Sequence, residues 1–196
     1  MSFVRHAHAP SVPDAERARG LSRRGRRDAA RVTARLADLA DVVATSPAER
    51  ARATVEGVAD AADAPLIVDD DLRERELAES PVEEFDEAVE HLWANPNASH
   101  PGGESHAEAQ ARGVAAVGRL VEAYPDRHVV VGTHGTLMAL VFNAYDPRYG
   151  REFWTGLTTP DVYEVTFVDG EAFSIARTWT PEADDRADAD RDPAER

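Results

Sequence analysis

Short apolar runs separated by stretches of helical periodicity set the plan of this chain. Phe3-Val4, Val42-Val43-Ala44-Thr45, Leu66-Ile67-Val68 and His128-Val129-Val130-Val131-Gly132 predict strands. The last is a continuous β-branched run, which suits a strand covered on both faces. Helical patterns lie between them. Ser22 predicts an N-cap, followed by an apolar face of Ala29, Ala30, Val32, Ala34, Leu36, Ala37 and Leu39. Ser46-Pro47-Ala48-Glu49 reads as a capping box with Pro at the first helical position, opening a helix to about Ala62. Pro81 to Trp93 predicts a helix with Phe85, Val89, Leu92 and Trp93 inward, stopped by Asn95-Pro96-Asn97. The turn-rich stretch His100 to Ser105 launches another, through Ala107, Ala111, Val114, Val117, Leu120 and Val121. Leu137 to Tyr145 continues as an apolar helix. Asp161 to Val168 and Ala172 to Trp179 alternate like a hairpin around Asp169-Gly170. Ser11 to Gly20 reads as a polar loop, and no internal repeat is visible.

Strands alternating with helices predict an α/β domain whose parallel sheet has right-handed crossovers. The apolar content of 42% in 196 residues fills a sizeable core, so residues 1–180 are expected to form one domain. Residues 181–196 are acidic and lack bulky apolar side chains, which predicts a disordered tail.

Charge narrows the partners. Asp and Glu number 37 against 22 Arg, and there is no Lys, for a net charge of -15. Such an excess of carboxylates repels nucleic acid and anionic membranes, so neither is expected as a partner. An acidic, Lys-free surface suits a halophilic source, where screening tolerates self-repulsion; a GC-rich coding bias is the alternative. With no Cys, disulfides and thiolate metal sites are excluded. No basic leader or membrane-length apolar run is present, and a cytoplasmic location is expected.

The chemistry collects where predicted strands end. Arg5-His6 closes the first strand, and Pro10 forbids its regular continuation. Arg50 falls in the first turn of a helix, where free N–H groups favour an anion. Glu74 lies beyond the third strand, after the acidic run Asp69-Asp70-Asp71. An acidic run is ordinarily solvent-facing loop, yet a carboxylate here, between Arg73 and Arg75, can serve proton transfer. His134 lies between the strongest strand and an apolar helix. C-terminal strand ends of a parallel sheet share one edge, so one crevice can gather these groups. An imidazole can attack phosphorus and carry a phosphoryl group. Guanidiniums and a second imidazole can hold the equatorial oxygens.

These segments, in this order, resemble the histidine phosphatase superfamily, the phosphoglycerate mutase-like family. Arg5-His6 is similar to its Arg-His-Gly opening, with Ala7 in place of Gly. Leu21-Ser22-Arg23-Arg24-Gly25 resembles Leu-Thr-x-x-Gly. Ser46 through Arg50-Ala51 to Thr54 resembles Ser-x-x-x-Arg-Ala-x-x-Thr. Leu72-Arg73-Glu74, Gly103-Glu104-Ser105 and Thr133-His134-Gly135 are similar to Leu-x-Glu, Gly-Glu-Ser and Ser-His-Gly. The resemblance implies a three-layer α/β/α sandwich, its sheet mostly parallel with a C-terminal antiparallel hairpin. It implies His6 as phosphorylated nucleophile, Arg5, Arg50 and His134 as phosphate ligands, and Glu74 as proton donor. Ser105 and His8 are candidate substrate contacts, His8 standing equally as a rim residue without a role. His91, His100, His106 and His128 are given no function. The implied substrate is a small phosphorylated molecule, with no cofactor and no metal; the oligomeric state is not readable.

The departures bear on the reaction. Ala7 adds a methyl where backbone approaches phosphate. Pro10-Ser11-Val12-Pro13 stands where glycolytic mutases have a Ser and an Asn-rich stretch, and the chain is shorter than expected of a mutase. Both points favour a phosphatase over a mutase-type phosphotransferase. A metallohydrolase built on His6-Ala7-His8 is a further alternative, but it leaves Arg5 and Arg50 beside a cation. A catalytically inactive phospho-ligand-binding module is the last. It conflicts with the intact set of Arg5, His6, Arg50, Glu74 and His134.

Overall fold

A computed structural model describes residues 1–10, 18–80, 82, 84–168 and 171–180. The six predicted strands form: β1 (Ser2–Arg5), β2 (Val42–Thr45), β3 (Leu66–Val68), β4 (Val129–Thr133), β5 (Asp161–Val168) and β6 (Glu171–Arg177). They make one sheet in the order β3-β2-β4-β1-β5-β6. The pairs β3/β2, β2/β4 and β4/β1 are parallel, whereas β1/β5 and β5/β6 are antiparallel. The sheet is thus parallel through β1 to β4 and closes with an antiparallel hairpin, as the resemblance implies.

Period-two alternation sorts the strand side chains into two cores. Phe3, Val42, Ala44, Val129, Val131, Tyr163 and Val165 face one way, against α4 (His106–Ala123) and α5 (Gly135–Tyr145). Val4, Val43, Val130 and Val162 face the other way, against α1 (Arg23–Leu36) and α2 (Glu49–Ala62). Helices therefore cover both faces of the sheet, and β1, β2 and β4 are buried along their whole lengths apart from the partly exposed Arg5. No helix among the described residues is long and apolar enough to cross a membrane.

Several elements differ from their sequence-based expectation. The first helix ends at Leu36, leaving Leu39 half exposed. The second starts at Glu49 with Ala48 as N-cap and no side-chain cap, so Ser46-Pro47-Ala48-Glu49 is not a capping box. Its Ser46 hydroxyl instead accepts from Ala48 N and meets His134, which follows β4. The third, α3 (Phe85–Ala94), buries Ala88, Val89 and Leu92, while Phe85 is 52% exposed. Helix α4 buries His106, Ala109, Gly113, Ala116, Val117 and Leu120, and Ala111 faces solvent. Its many Ala residues give too weak an apolar contrast to set the phase. A short helix, α6 (Arg151–Thr155), has no counterpart in the sequence reading. Most of the loop expected over Ser11 to Gly20, the start of the third helix at Pro81, the Asp169-Gly170 turn and the tail at 181–196 lie outside the described residues.

Candidate active site

The end of β1 is fixed before any side chain acts. His6 N donates to Thr133 O at 2.9 Å, continuing the β1/β4 ladder by one residue. Ala7 N donates to Thr54 Oγ1 at 2.9 Å, and Thr54 Oγ1 donates to Arg50 O at 2.7 Å. One threonine hydroxyl thus ties the loop after β1 to the first turn of α2. The Ala7 methyl is fully buried with Ala9, Leu21 and Ala29. Ser22 N donates to His8 O at 3.0 Å, and a Cβ on Gly25 would lie 2.1 Å from that oxygen. The Leu-Ser-x-x-Gly segment is therefore shaped by the carbonyl of His8. The His8 ring turns to Ser22 Oγ, with Nδ1 at 2.9 Å.

This scaffold sets the tautomer of His6. Its Nδ1 lies 2.8 Å from Ala7 O. A carbonyl only accepts, so Nδ1 carries the hydrogen and Nε2 keeps its lone pair. Burial holds the imidazole pKa well below 6.5, and the positive charges of Arg50, Arg5 and Arg19 push it further down against the Ala7 carbonyl. Both effects favour the neutral imidazole.

His134 faces it edge-on, with ring centroids 5.3 Å apart. It is fully buried as the N-cap of α5, and its Nε2 lies 2.8 Å from Ser46 Oγ. Burial first, then His6, Arg50, Arg19 and Arg5, hold its pKa well below 6.5. Arg50 is buried in the first turn of α2. Arg5 donates through Nη1 to Leu157 O at 2.9 Å, and a Cβ on Gly135 would come within 2.9 Å of its Nε. The Gly after His134 lets the guanidinium lie against the start of α5.

Glu74 reaches the same helix start. Oε1 accepts from Leu137 N at 3.0 Å and from Arg75 N at 2.9 Å, and Oε2 accepts from Thr136 N at 3.1 Å. The first free N–H groups of α5 thus hold a carboxylate of the protein. Arg50, Glu74 and His134 line one cleft of about 500 Å³ with Arg73, Arg75 and Phe85. Among the described residues, no group of three or more His, Asp and Glu is arranged to hold a metal ion.

The sequence model of the histidine phosphatase superfamily (branch 1) matches residues 2–178. This chain belongs to the histidine phosphatase superfamily. No curated protein sequence matches it. Among solved structures it is similar to a mycobacterial glucosyl-3-phosphoglycerate phosphatase, with TM-score 0.69, 21% identity, and 91% of this chain and 96% of that chain covered. It is similar to a phosphoserine phosphatase mutant from Entamoeba histolytica, with TM-score 0.73, 14% identity, and 89% and 95% covered. It is also similar to Bacillus stearothermophilus YhfR, with TM-score 0.67, 23% identity, and 90% and 96% covered.

In this histidine phosphatase fold, Arg5, His6, Arg50, Glu74 and His134 come together from four parallel-strand ends. Of the two candidate substrate contacts, His8 sits in the loop after His6 with its Nδ1 2.9 Å from Ser22 Oγ. Ser105 is the N-cap of α4: its Oγ accepts from Glu108 N at 3.2 Å and donates to Glu108 Oε2 at 2.7 Å. That is a capping box at the start of α4.

Three further residues bear on the site. Ser46 positions His134; the Ser of the Ser-x-x-x-Arg segment was the available signal, but it also reads as a helix cap. Arg19 puts positive charge near both imidazoles, with no local signal in its polar loop. Arg112 binds the backbone that carries Glu74, across a gap of 38 residues.

Proposed function

We propose that this chain is a phosphomonoester hydrolase working through a phosphohistidine on His6. Membership of the histidine phosphatase superfamily supports a phosphatase. The observation that carries the mechanism is the Nδ1–H of His6 held on Ala7 O, which leaves the Nε2 lone pair beside His134, Arg50 and Arg5. Nε2 attacks phosphorus as the bond to the leaving oxygen breaks. Glu74 gives that oxygen its proton. Oε2 of Glu74 accepts one backbone N–H where Oε1 accepts two, so Oε2 has the capacity to carry the proton. In the second step the Glu74 carboxylate takes a proton from water. The water oxygen bonds to phosphorus, the P–N bond breaks, and phosphate leaves with His6 neutral again.

Arg5, Arg50 and His134 bind the equatorial oxygens, where transition-state charge is spread. In this reading Ser46 Oγ, which accepts from Ala48 N, donates its own hydrogen to His134 Nε2 at 2.8 Å, and the imidazole proton stands on Nδ1. That N–H then serves a phosphoryl oxygen. Two guanidiniums supply the positive charge that a metal supplies in other phosphatases, so no metal is required. The neighbouring structures named for glucosyl-3-phosphoglycerate and phosphoserine phosphatases support a small phosphorylated metabolite as substrate. Pro10-Ser11-Val12-Pro13, standing where glycolytic mutases have a Ser and an Asn-rich stretch, favours hydrolysis over mutase-type transfer.

Turnover of labelled phosphomonoester, quenched in acid or in base and followed by peptide mapping, tests this reading. Label on His6 that survives base and is lost in acid is expected, with activity retained in chelator. Label on His134, or rapid turnover by His6→Ala, overturns it.

A further inference from the structure

Arg112 lies in the middle of α4, outside every motif that supplies a proposed catalytic group. Its guanidinium nevertheless donates all of its N–H groups. Nε and Nη2 hold the two oxygens of Glu104 at 2.6 and 2.7 Å. Nη1 donates to Asp71 O at 2.7 Å and to Arg73 O at 3.0 Å, and Nη2 also donates to Glu74 O at 3.3 Å. The side chain is only 11% exposed, so this set is poorly screened by solvent.

The segment it holds is the one that delivers Glu74. Past Val68 that segment leaves the sheet, so its carbonyls have no ladder partners and need donors from elsewhere. Thr133 Oγ1 takes Leu72 O at 2.9 Å, and Arg112 takes the carbonyls of Asp71, Arg73 and Glu74. Glu104 is held in turn: its N donates to Glu76 O at 2.8 Å. A Cβ on Gly103 would lie 2.2 Å from Leu77 O, so the two backbones are pressed together. Seven residues along the same face of α4, Arg119 binds Asp69 and Asp71, each at 2.9 Å. Glu74 is therefore anchored twice, by its carbonyl to α4 and by its carboxylate to α5.

We propose that Arg112, braced by Glu104, is a positioning residue for proton transfer by Glu74. The proposal rests on the function proposed above. Arg112 touches no substrate; it sets the distance between the Glu74 carboxyl and the leaving oxygen through the main chain. A displacement of about 1 Å at a reacting group costs on the order of a hundredfold in rate.

The test compares an alkyl phosphate with p-nitrophenyl phosphate in wild type, Glu74→Gln, Arg112→Met and the double variant. A proton donor matters most for the poor leaving group. Arg112→Met is expected to lose at least ~tenfold more kcat on the alkyl ester than on the aryl ester, and to add less than ~threefold to the loss in Glu74→Gln. Arg112→Lys, which keeps the charge without the fork, is expected to fall between. If Arg112→Met does not fold, Glu104→Gln is expected to show the same skew at smaller size. Equal losses on both esters, or losses that multiply in the double variant, overturn the proposal and leave Arg112 a stabilising residue. An unskewed Glu74→Gln overturns the acid assignment itself, which separates the two failures.

Discussion

His106 makes folding stability depend on pH in a window set by its surroundings. It is the first residue of α4 and 2% exposed, with the Trp93 ring edge-on at a centroid distance of 4.7 Å. Burial, then the nearby Arg75 charge, lowers its pKa from 6.5 to about 4. The positive end of α4 acts in the same sense. The folded chain therefore keeps a neutral imidazole where the unfolded chain binds a proton, and stability falls as pH drops from 6.5 towards 4. The full displacement corresponds to about 3 kcal/mol, of which about 2 kcal/mol is lost between pH 7 and pH 5. Against a typical stability of about 5–15 kcal/mol that is easily measured. Urea unfolding of wild type and His106→Met at both pH values, at one ionic strength, isolates it. Met is expected to lower stability at pH 7 but to reduce the pH 7 to pH 5 drop by about 2 kcal/mol. The depressed carboxylates Asp41, Glu108 and Asp146 and the other depressed histidines, His6, His128 and His134, lose stability in the same direction and cancel in the difference. Equal drops in the two proteins refute the reasoning.

Gly135→Ala is expected to keep the fold and lower kcat/KM by roughly tenfold or more, because its Cβ would displace the Arg5 guanidinium; unchanged kinetics count against Arg5 as a phosphate ligand. Gly25→Ala is expected to destabilise by about 1–3 kcal/mol or more, since its Cβ would meet a backbone oxygen that cannot rotate away. A melting temperature equal to wild type contradicts that. Truncation after Thr180 is expected to leave both melting temperature and turnover unchanged, from the composition of the tail; a loss of several degrees shows a structural contribution.

Much of the site was legible because it sits at transitions in the hydrophobic pattern. Arg5-His6 and His134 each follow an apolar run directly, and strand ends of a parallel sheet share an edge whatever the strand order. What escaped depends on partners remote in sequence. Ser46 looks like a cap beside Pro47 and Glu49, and only the approach of His134, 88 residues on, draws its hydroxyl away. Asp69 and Asp71 look solvated because Arg119, about 50 residues on, is invisible from their neighbourhood. Free N–H groups at a helix start ordinarily favour a bound anion, yet at α5 Thr136 N and Leu137 N are engaged by Glu74 of the chain itself. A five-residue helix such as α6, with Phe153 and Trp154 only partly buried against the core, is too short to leave a periodic trace.

The position of β4 between β1 and β2 has a consequence for how the chain acquires its shape during synthesis. The first two strands share no hydrogen bonds; they are joined only through β4, which starts at Val129. A nascent chain that has emerged as far as Asp126 already contains Arg5, His6, Arg50 and Glu74, yet the central strand that aligns them is missing. Assembly is then governed by late, long-range parallel pairing, the slow kind. In that interval, the apolar edges of β1 and β2 are open to other chains. A strongly anionic polypeptide, which repels its own copies, is well suited to survive that wait.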